Sequence, residues 1–543
     1  MQEHTSRRAL ATSVLLSAGL IALSLALFDP FFTNDGAVMA MIASGTGVAM
    51  RPDEHLVFTN VLVGRVVAAL YGRAPDVPWY GLHLVGVQAA AWTGLFHVCL
   101  APGVTLRRVA LCVLAYGVVG LAVLVNLQFS STAFLVAMAG AILWLDQVDG
   151  ASHGGPRAVG AALLMALGSL ERFDPFVLVL AFAGLAGLIV ARGRPARRWW
   201  VIGACATMLA LVSFAYDRQA YREDAGWRAF REFIPLLPEI TDYGRADAGE
   251  AQLATALQRA GWSENDHRLF MQWFHADPEV YSADALRRLM REVPQTGPVR
   301  RIWNGAQRLG RVVDNPALWA MLLALPCLLL GAGRRLRALV GVLLVAALAV
   351  TLLLAAFRKA APQVYLPLFA FPVCVALAAS GAPVPGRARW RQPLAIALAL
   401  AGLAISVAHQ HREGSVERVR ARVLRDRYAP VTGTPQQLVV AWFNAFPFEV
   451  VRPLEPPTRL RSLRLFSLGW SQRTPLARDL LASFGSSDLI DALADPRTVL
   501  LAPPVAPPLL ARFAEEHRAL RLRFSPEQTD PFATFRGRVA GDR

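Results

Sequence analysis

ALATSVLLSAGLIALSLALF, residues 9–28, is an uncharged run that breaks at Asp29-Pro30 and is followed by FFTNDG, residues 31–36. About twenty apolar residues suffice to cross roughly 30 Å of hydrocarbon as a helix. Lipid offers no partner to backbone N–H and C=O groups, so such a run must satisfy them within itself. No convincing small-residue cleavage site precedes Asp29-Pro30, and the run therefore reads as a retained first span. The acidic Asn34-Asp35-Gly36 just beyond it is placed at a membrane boundary, where a carboxylate is costly unless solvated, paired or used.

Ten further apolar runs follow, at 79–101, 109–127, 129–147, 158–171, 175–192, 199–216, 316–332, 337–357, 363–381 and 392–408. The chain of 543 residues is 55% hydrophobic, with a mean hydropathy of +0.40. That is too apolar for an ordinary soluble protein of this size. The fold class expected is a polytopic α-helical membrane protein of about eleven spans. The fifth run is short, but basic residues flank 158–191 at both ends, which requires two crossings there.

The net charge of +16 does not call for nucleic acid. The cations cluster at span ends: Arg7-Arg8, Arg107-Arg108, Arg157, Arg192–Arg198, Arg334-Arg335-Arg337 and Arg387-Arg389-Arg391. By the positive-inside rule these connections and the N-terminus face the cytoplasm, and membrane lipids rather than nucleic acid are the partners of the excess charge. The five cysteines all lie in apolar runs without metal-ligand spacing.

The long segments then fall on the other side: a first loop (29–78), an insertion (217–315) and a tail (409–543). The first loop carries an apolar helical face from Leu56 to Tyr71, interrupted by Asn60, Arg65 and Arg73, as suits a helix in the membrane interface. The insertion reads as helices at Ala248–Ala260 and Asp284–Arg291, with a helix start at Ser263–Asp266. The tail has strand-like runs at 438–442, 463–467, 499–501 and 532–539 and a helix candidate at Leu509–Leu522, together a small α/β domain. Residues 1–408 form the membrane domain and 409–543 the outer domain.

Several polar residues on the outer side could carry chemistry. Asp35 could take a proton from a hydroxyl or help hold a metal ion; Asn-Asp-Gly is also strong turn chemistry. Asp53, Glu54 and His55 form a titratable run that could be a second acid/base or metal-binding group, or cap a helix starting after Pro52. Glu171, Arg172 and Asp174 put an arginine against the charge bias, paired with its neighbours or with an anionic head group. Arg358 and Lys359 are adjacent cations on the same side, suited to a phosphate. Asn126, Gln128, Ser130, Ser131 and Thr132 could hydrogen-bond a sugar or satisfy their own turn. Asp146 and Asp149 read as solvated on the cytoplasmic side. Glu264, Asp266, His267 and His275 could meet an acceptor or be helix-surface polarity. No nucleotide-binding loop or nucleophile elbow is present.

The span pattern, the acidic first loop, the outer insertion and the outer tail together resemble the GT-C superfamily of membrane glycosyltransferases. The stretch from Asn34-Asp35 through Pro52-Asp53-Glu54-His55 to Val77-Pro78-Trp79-Tyr80 is similar to that of bacterial members. The resemblance implies a donor sugar on polyprenyl phosphate and a glycan, lipid or protein acceptor, at the outer face of the bacterial cytoplasmic membrane. It implies inverting transfer, with Asp35 as general base and with Arg358, Lys359, Arg172 and, less directly, Arg65 on the leaving phosphate. The family's paired acid is here Asn34-Asp35, which leaves the use of a divalent Mg or Mn ion open. A transporter or flippase of a lipid-linked glycan would share the span count, but no internal repeat is visible. A polysaccharide polymerase or ligase would share the outer-face chemistry.

Overall fold

The computed structural model describes residues 2–148, 154–191, 195–241, 250–293, 297–380, 391–432, 436–442, 445–528 and 533–540. Of the features read from sequence, Arg192, Arg194, Arg387, Arg389, Asp149, Ala248 and Phe532 lie outside them.

Each apolar run becomes a helix, because only local i to i−4 bonding satisfies a backbone in lipid. Among the described residues, seven helices are long and apolar enough to cross a membrane. They include Trp79–Leu100, Phe173–Val190, Arg197–Glu223 and Arg334–Phe357. An eighth is counted if Pro298–Val313 and Pro316–Leu328, bent by 74° at Asp314-Asn315, make one broken span. The expected runs at 129–147, 158–171 and 363–381 fall on Phe129–Leu145, Gly154–Glu171 and Pro362–Ala378. These are shorter or less apolar than a full span. Two of them pack closely through glycine. A Cβ on Gly140 would stand 2.6 Å from the Met165 nitrogen, and one on Gly168 would stand 2.7 Å from Ala137 Cβ. Small residues let helix backbones approach where lipid supplies no hydrophobic drive.

The first loop is tied to one end of this bundle. Phe31 exchanges backbone bonds with the turn after Leu106–Val125: its N–H donates to Val125 (2.9 Å), and its carbonyl accepts from Leu127 (3.0 Å). Arg107 and Arg108 begin that same helical stretch at its far end, where Arg107 reaches the Leu330 carbonyl at 3.1 Å. Along this stretch, therefore, the first loop and the Arg107-Arg108 pair lie at opposite ends.

Local expectations in the first loop change. Asn34-Asp35-Gly36 is not a turn but the first turn of a helix, Asn34–Ser44, capped by the Thr33 hydroxyl. This helix is buried from Gly36 onward. Asp53 and Glu54 do not cap a helix. The helix expected there starts later, at Val61–Arg73, with Asn60 as its cap.

The last span does not stop at residue 408. Gln392–Thr432 is a single helix; its 41 residues rise about 60 Å, so its second half stands clear of the hydrocarbon as a stalk. Beyond it lie β1 (Leu438–Ala441), β2 (Leu465–Ser467), β3 (Thr498–Ala502), β4 (Leu522–Gln528) and β5 (Ala533–Val539), in the order β2-β1-β3-β5-β4. The first three are parallel and β5 and β4 antiparallel. β1 and β3 are buried at every residue, as parallel strands covered on both faces must be. β4 begins where the helix candidate was expected to end; that helix stops at Arg518. The first loop closes the sheet's edge: Leu465 N–H donates to the Gly47 carbonyl at 3.0 Å.

Candidate functional site

A cavity of about 720 Å³ opens where the first loop, the insertion, the stalk and the tail meet the end of the bundle. Asp35, Arg172 and Lys359 all line it, and each comes from a different segment. Asp35 is held by the Trp470 indole, whose Nε1 donates to its Oδ1 at 3.0 Å. Its place in the first turn of Asn34–Ser44 sets it beside unpaired helix N–H groups, where negative charge is favoured. Arg172 follows Gly154–Glu171 directly. Its guanidinium donates to the Ser130 hydroxyl and sits over the rings of Phe129 (5.3 Å) and Phe58 (5.7 Å). Lys359 follows Arg334–Phe357 on the turn before Pro362.

Aromatic rings form much of the remaining wall. Phe58 stacks on Phe129 and meets Trp470 edge-on at 5.1 Å. Among the described residues three non-glycine residues have positive φ; Trp273 (68°) lines this cavity, and Val57 (72°) precedes the lining residue Phe58. A β-branched residue in that region costs about 1–3 kcal/mol and persists only where its surroundings hold it. The Val57 N–H is fixed by the Tyr221 hydroxyl at 2.8 Å.

Other residues singled out in the sequence go elsewhere. Arg358 does not line the cavity; it pairs with Glu239 at 2.7 Å. Arg65 pairs with Glu54 at 2.8 Å and also reaches Tyr216. The hydrogen bonds that Arg65 donates to Glu54 raise its already high pKa. Asp53 turns back on His55, accepting from its ring Nδ1 and its N–H, both at 2.8 Å. Burial pushes Asp53 up, but these bonds outweigh it and hold the carboxyl below its ordinary range. The His55 ring stacks on Trp227 at 4.6 Å. The 53–55 run thus clamps the first loop to the insertion and does not reach the cavity. Glu171 is buried and bonds to His83, while Asp174 is exposed in the first turn of Phe173–Val190.

The polar turn at 126–132 divides. Ser130 receives Arg172, and Thr132 accepts from Gln88 at 3.0 Å. Gln128 lines the cavity. In the insertion, Asp266 caps its own helix with Ser263, and His275 is buried against Gln472. Sequence reading missed Trp470, Glu417, Arg420 and Glu449, which complete the wall.

Asp35 is one of three acids on the cavity wall. Of the other acids on the wall, Glu417 pairs with Arg420 at 3.3 Å and Glu449 approaches the same arginine at 3.7 Å. Among the described residues, the one trio of side chains close enough to share an ion is Asp266, Glu516 and His517, none of which lines the cavity.

No family model and no curated protein matches the sequence. Two solved structures are similar to it. The crystal structure of ArnT from Cupriavidus metallidurans in the apo state is 14% identical, with a TM-score of 0.42, over 98% of this chain and 99% of that one. That of ArnT from Cupriavidus metallidurans bound to undecaprenyl phosphate is 14% identical, with a TM-score of 0.39, over 98% of each chain.

Proposed function

We propose that the protein is a membrane glycosyltransferase of the GT-C kind, moving a hexose or pentose from a polyprenyl-phosphate donor to a glycan, lipid or protein acceptor at the outer face of the bacterial cytoplasmic membrane. The observation that carries this reading is one carboxylate and two cations, Asp35, Arg172 and Lys359, lining a single cavity at the end of an apolar bundle. A lipid phosphate needs fixed cationic donors, and a hydroxyl nucleophile needs a base.

In the proposed reaction the acceptor hydroxyl attacks the anomeric carbon and Asp35 takes its proton. The anomeric C–O bond to the lipid phosphate breaks, and the electron pair leaves with the phosphate. Arg172 and Lys359 meet that developing charge in a partly enclosed site, where fixed charge counts for more than in water. Attack opposite the leaving group inverts the anomeric centre. Arg358 and Arg65 have no part in this scheme, since each is committed to a carboxylate elsewhere.

The test is transfer by purified protein from a panel of polyprenyl-phosphate hexoses and pentoses to envelope acceptors. Asp35→Asn should lower transfer by about 10²–10⁴-fold with its melting temperature unchanged. Movement of the lipid across vesicles without transfer would instead make the protein a flippase. Full activity of Asp35→Asn would remove the base assignment.

A further inference from the structure

Gln128 is the N-cap residue of Phe129–Leu145, yet its side chain does not cap that helix. The residue is only 2% exposed, and its Oε1 has no hydrogen-bond partner. Nor does its amide nitrogen donate to any described residue. Turn satisfaction, the ordinary account of such a residue, therefore does not hold. A buried carboxamide left without partners is costly and persists where something else supplies them. Gln128 lines the same cavity as Asp35, Arg172 and Lys359. Gln363, half-buried and from a different helix, lines it as well.

A carboxamide offers both an acceptor and a donor. An ionised phosphate only accepts, and a prenyl chain does neither. The group that meets both halves of the amide is a hydroxyl. We infer that Gln128 reads a hydroxyl of the transferred sugar and so helps select the glycosyl donor. The inference rests on the donor reading given above. It places a sugar hydroxyl at Gln128, in the cavity that Arg172 and Lys359 also line.

The experiment compares wild type, Gln128→Leu and Gln128→Glu on the best donor of the hexose and pentose panel and on its singly deoxygenated analogues. Wild type should lose at least about tenfold in kcat/KM on one analogue. Gln128→Leu should lose the same on the full sugar and no longer tell it from that analogue. Its melting temperature should be unchanged or higher, because a buried group without partners has been removed. Gln128→Glu, which keeps an acceptor, should retain part of the discrimination. The inference is overturned if wild type accepts every analogue equally, which leaves water as the partner of Gln128. It is also overturned if Gln128→Leu discriminates like wild type, or if it loses activity evenly on all donors while melting lower. If wild type uses no donor of the panel, the donor reading falls and this inference with it.

Discussion

Asp35 shows how much a single side chain depends on its immediate surroundings. In sequence it is one acid in a turn-like tripeptide. In the fold it stands in the first turn of a helix, faces a cavity and accepts from an indole 435 residues away in sequence. Trp470→Phe keeps the ring and removes that donor. A hydrogen bond to a charged group contributes about 1.5–3 kcal/mol, so transfer should fall by about 10–100-fold with little change in acceptor KM. Lys359→Gln and Arg172→Gln should each lower kcat by about 10²-fold or more, as loss of a fixed donor does. Arg358→Gln, next in sequence to Lys359, should stay within about twofold, because its exposed pair with Glu239 is worth little. The two neighbours are the sharpest check on the site, since sequence treats them alike.

Among the elements, the close pair Phe129–Leu145 and Gly154–Glu171 positions both Gln128 and Arg172, one at the start of the first helix and one just past the end of the second. Gly168→Ala would drive a Cβ to within 2.7 Å of Ala137 Cβ and 2.9 Å of its backbone. Overpacking of that kind costs about 1–3 kcal/mol, so the variant should melt lower and also lose transfer as Arg172 shifts. Gly184→Ala is its control. That glycine lies inside Phe173–Val190 with nothing within 4 Å of an added Cβ. It should hold or raise the melting temperature through helix propensity. A similar loss in both variants would mean that the helix contact does not set the site.

At the scale of the whole molecule, the insertion and the tail are joined through His275. Gln472 accepts from its backbone N–H at 3.0 Å and donates to the Trp273 and Gly469 carbonyls at 2.7 and 2.8 Å. Complete burial, and then the nearby Arg473, hold the His275 ring well below its ordinary value of 6.5. Burial likewise lowers Arg473 to about 10. Between the folded and unfolded pKa values of His275, the unfolded chain binds a proton that the folded chain does not. Stability is therefore full above about pH 6.5 and declines as pH falls below it. Thermal unfolding from about pH 7.5 to 5 should show this decline in wild type. His275→Gln should melt lower at neutral pH but lose less on acidification. An equal slope in both would place the acid sensitivity elsewhere.

The sequence decided neither how many helices are long enough to span nor where the last one stops; what it determined by itself is the apolar helices and the arginines at their ends. Each of these follows from interactions within a few residues: a backbone in lipid bonds to itself, and cations gather where spans end. The capping box at Ser263 and most of the tail's strands were legible for the same local reason. Tertiary structure decided which charges meet. Lys359 reaches the cavity while Arg358 turns to Glu239, and the 53–55 run becomes a clamp against Trp227. The stalk and Trp470 enter a site that their own sequence does not announce. A cavity wall assembled from distant segments is fixed by packing and side-chain direction, and neither is written in the spacing of residues along the chain.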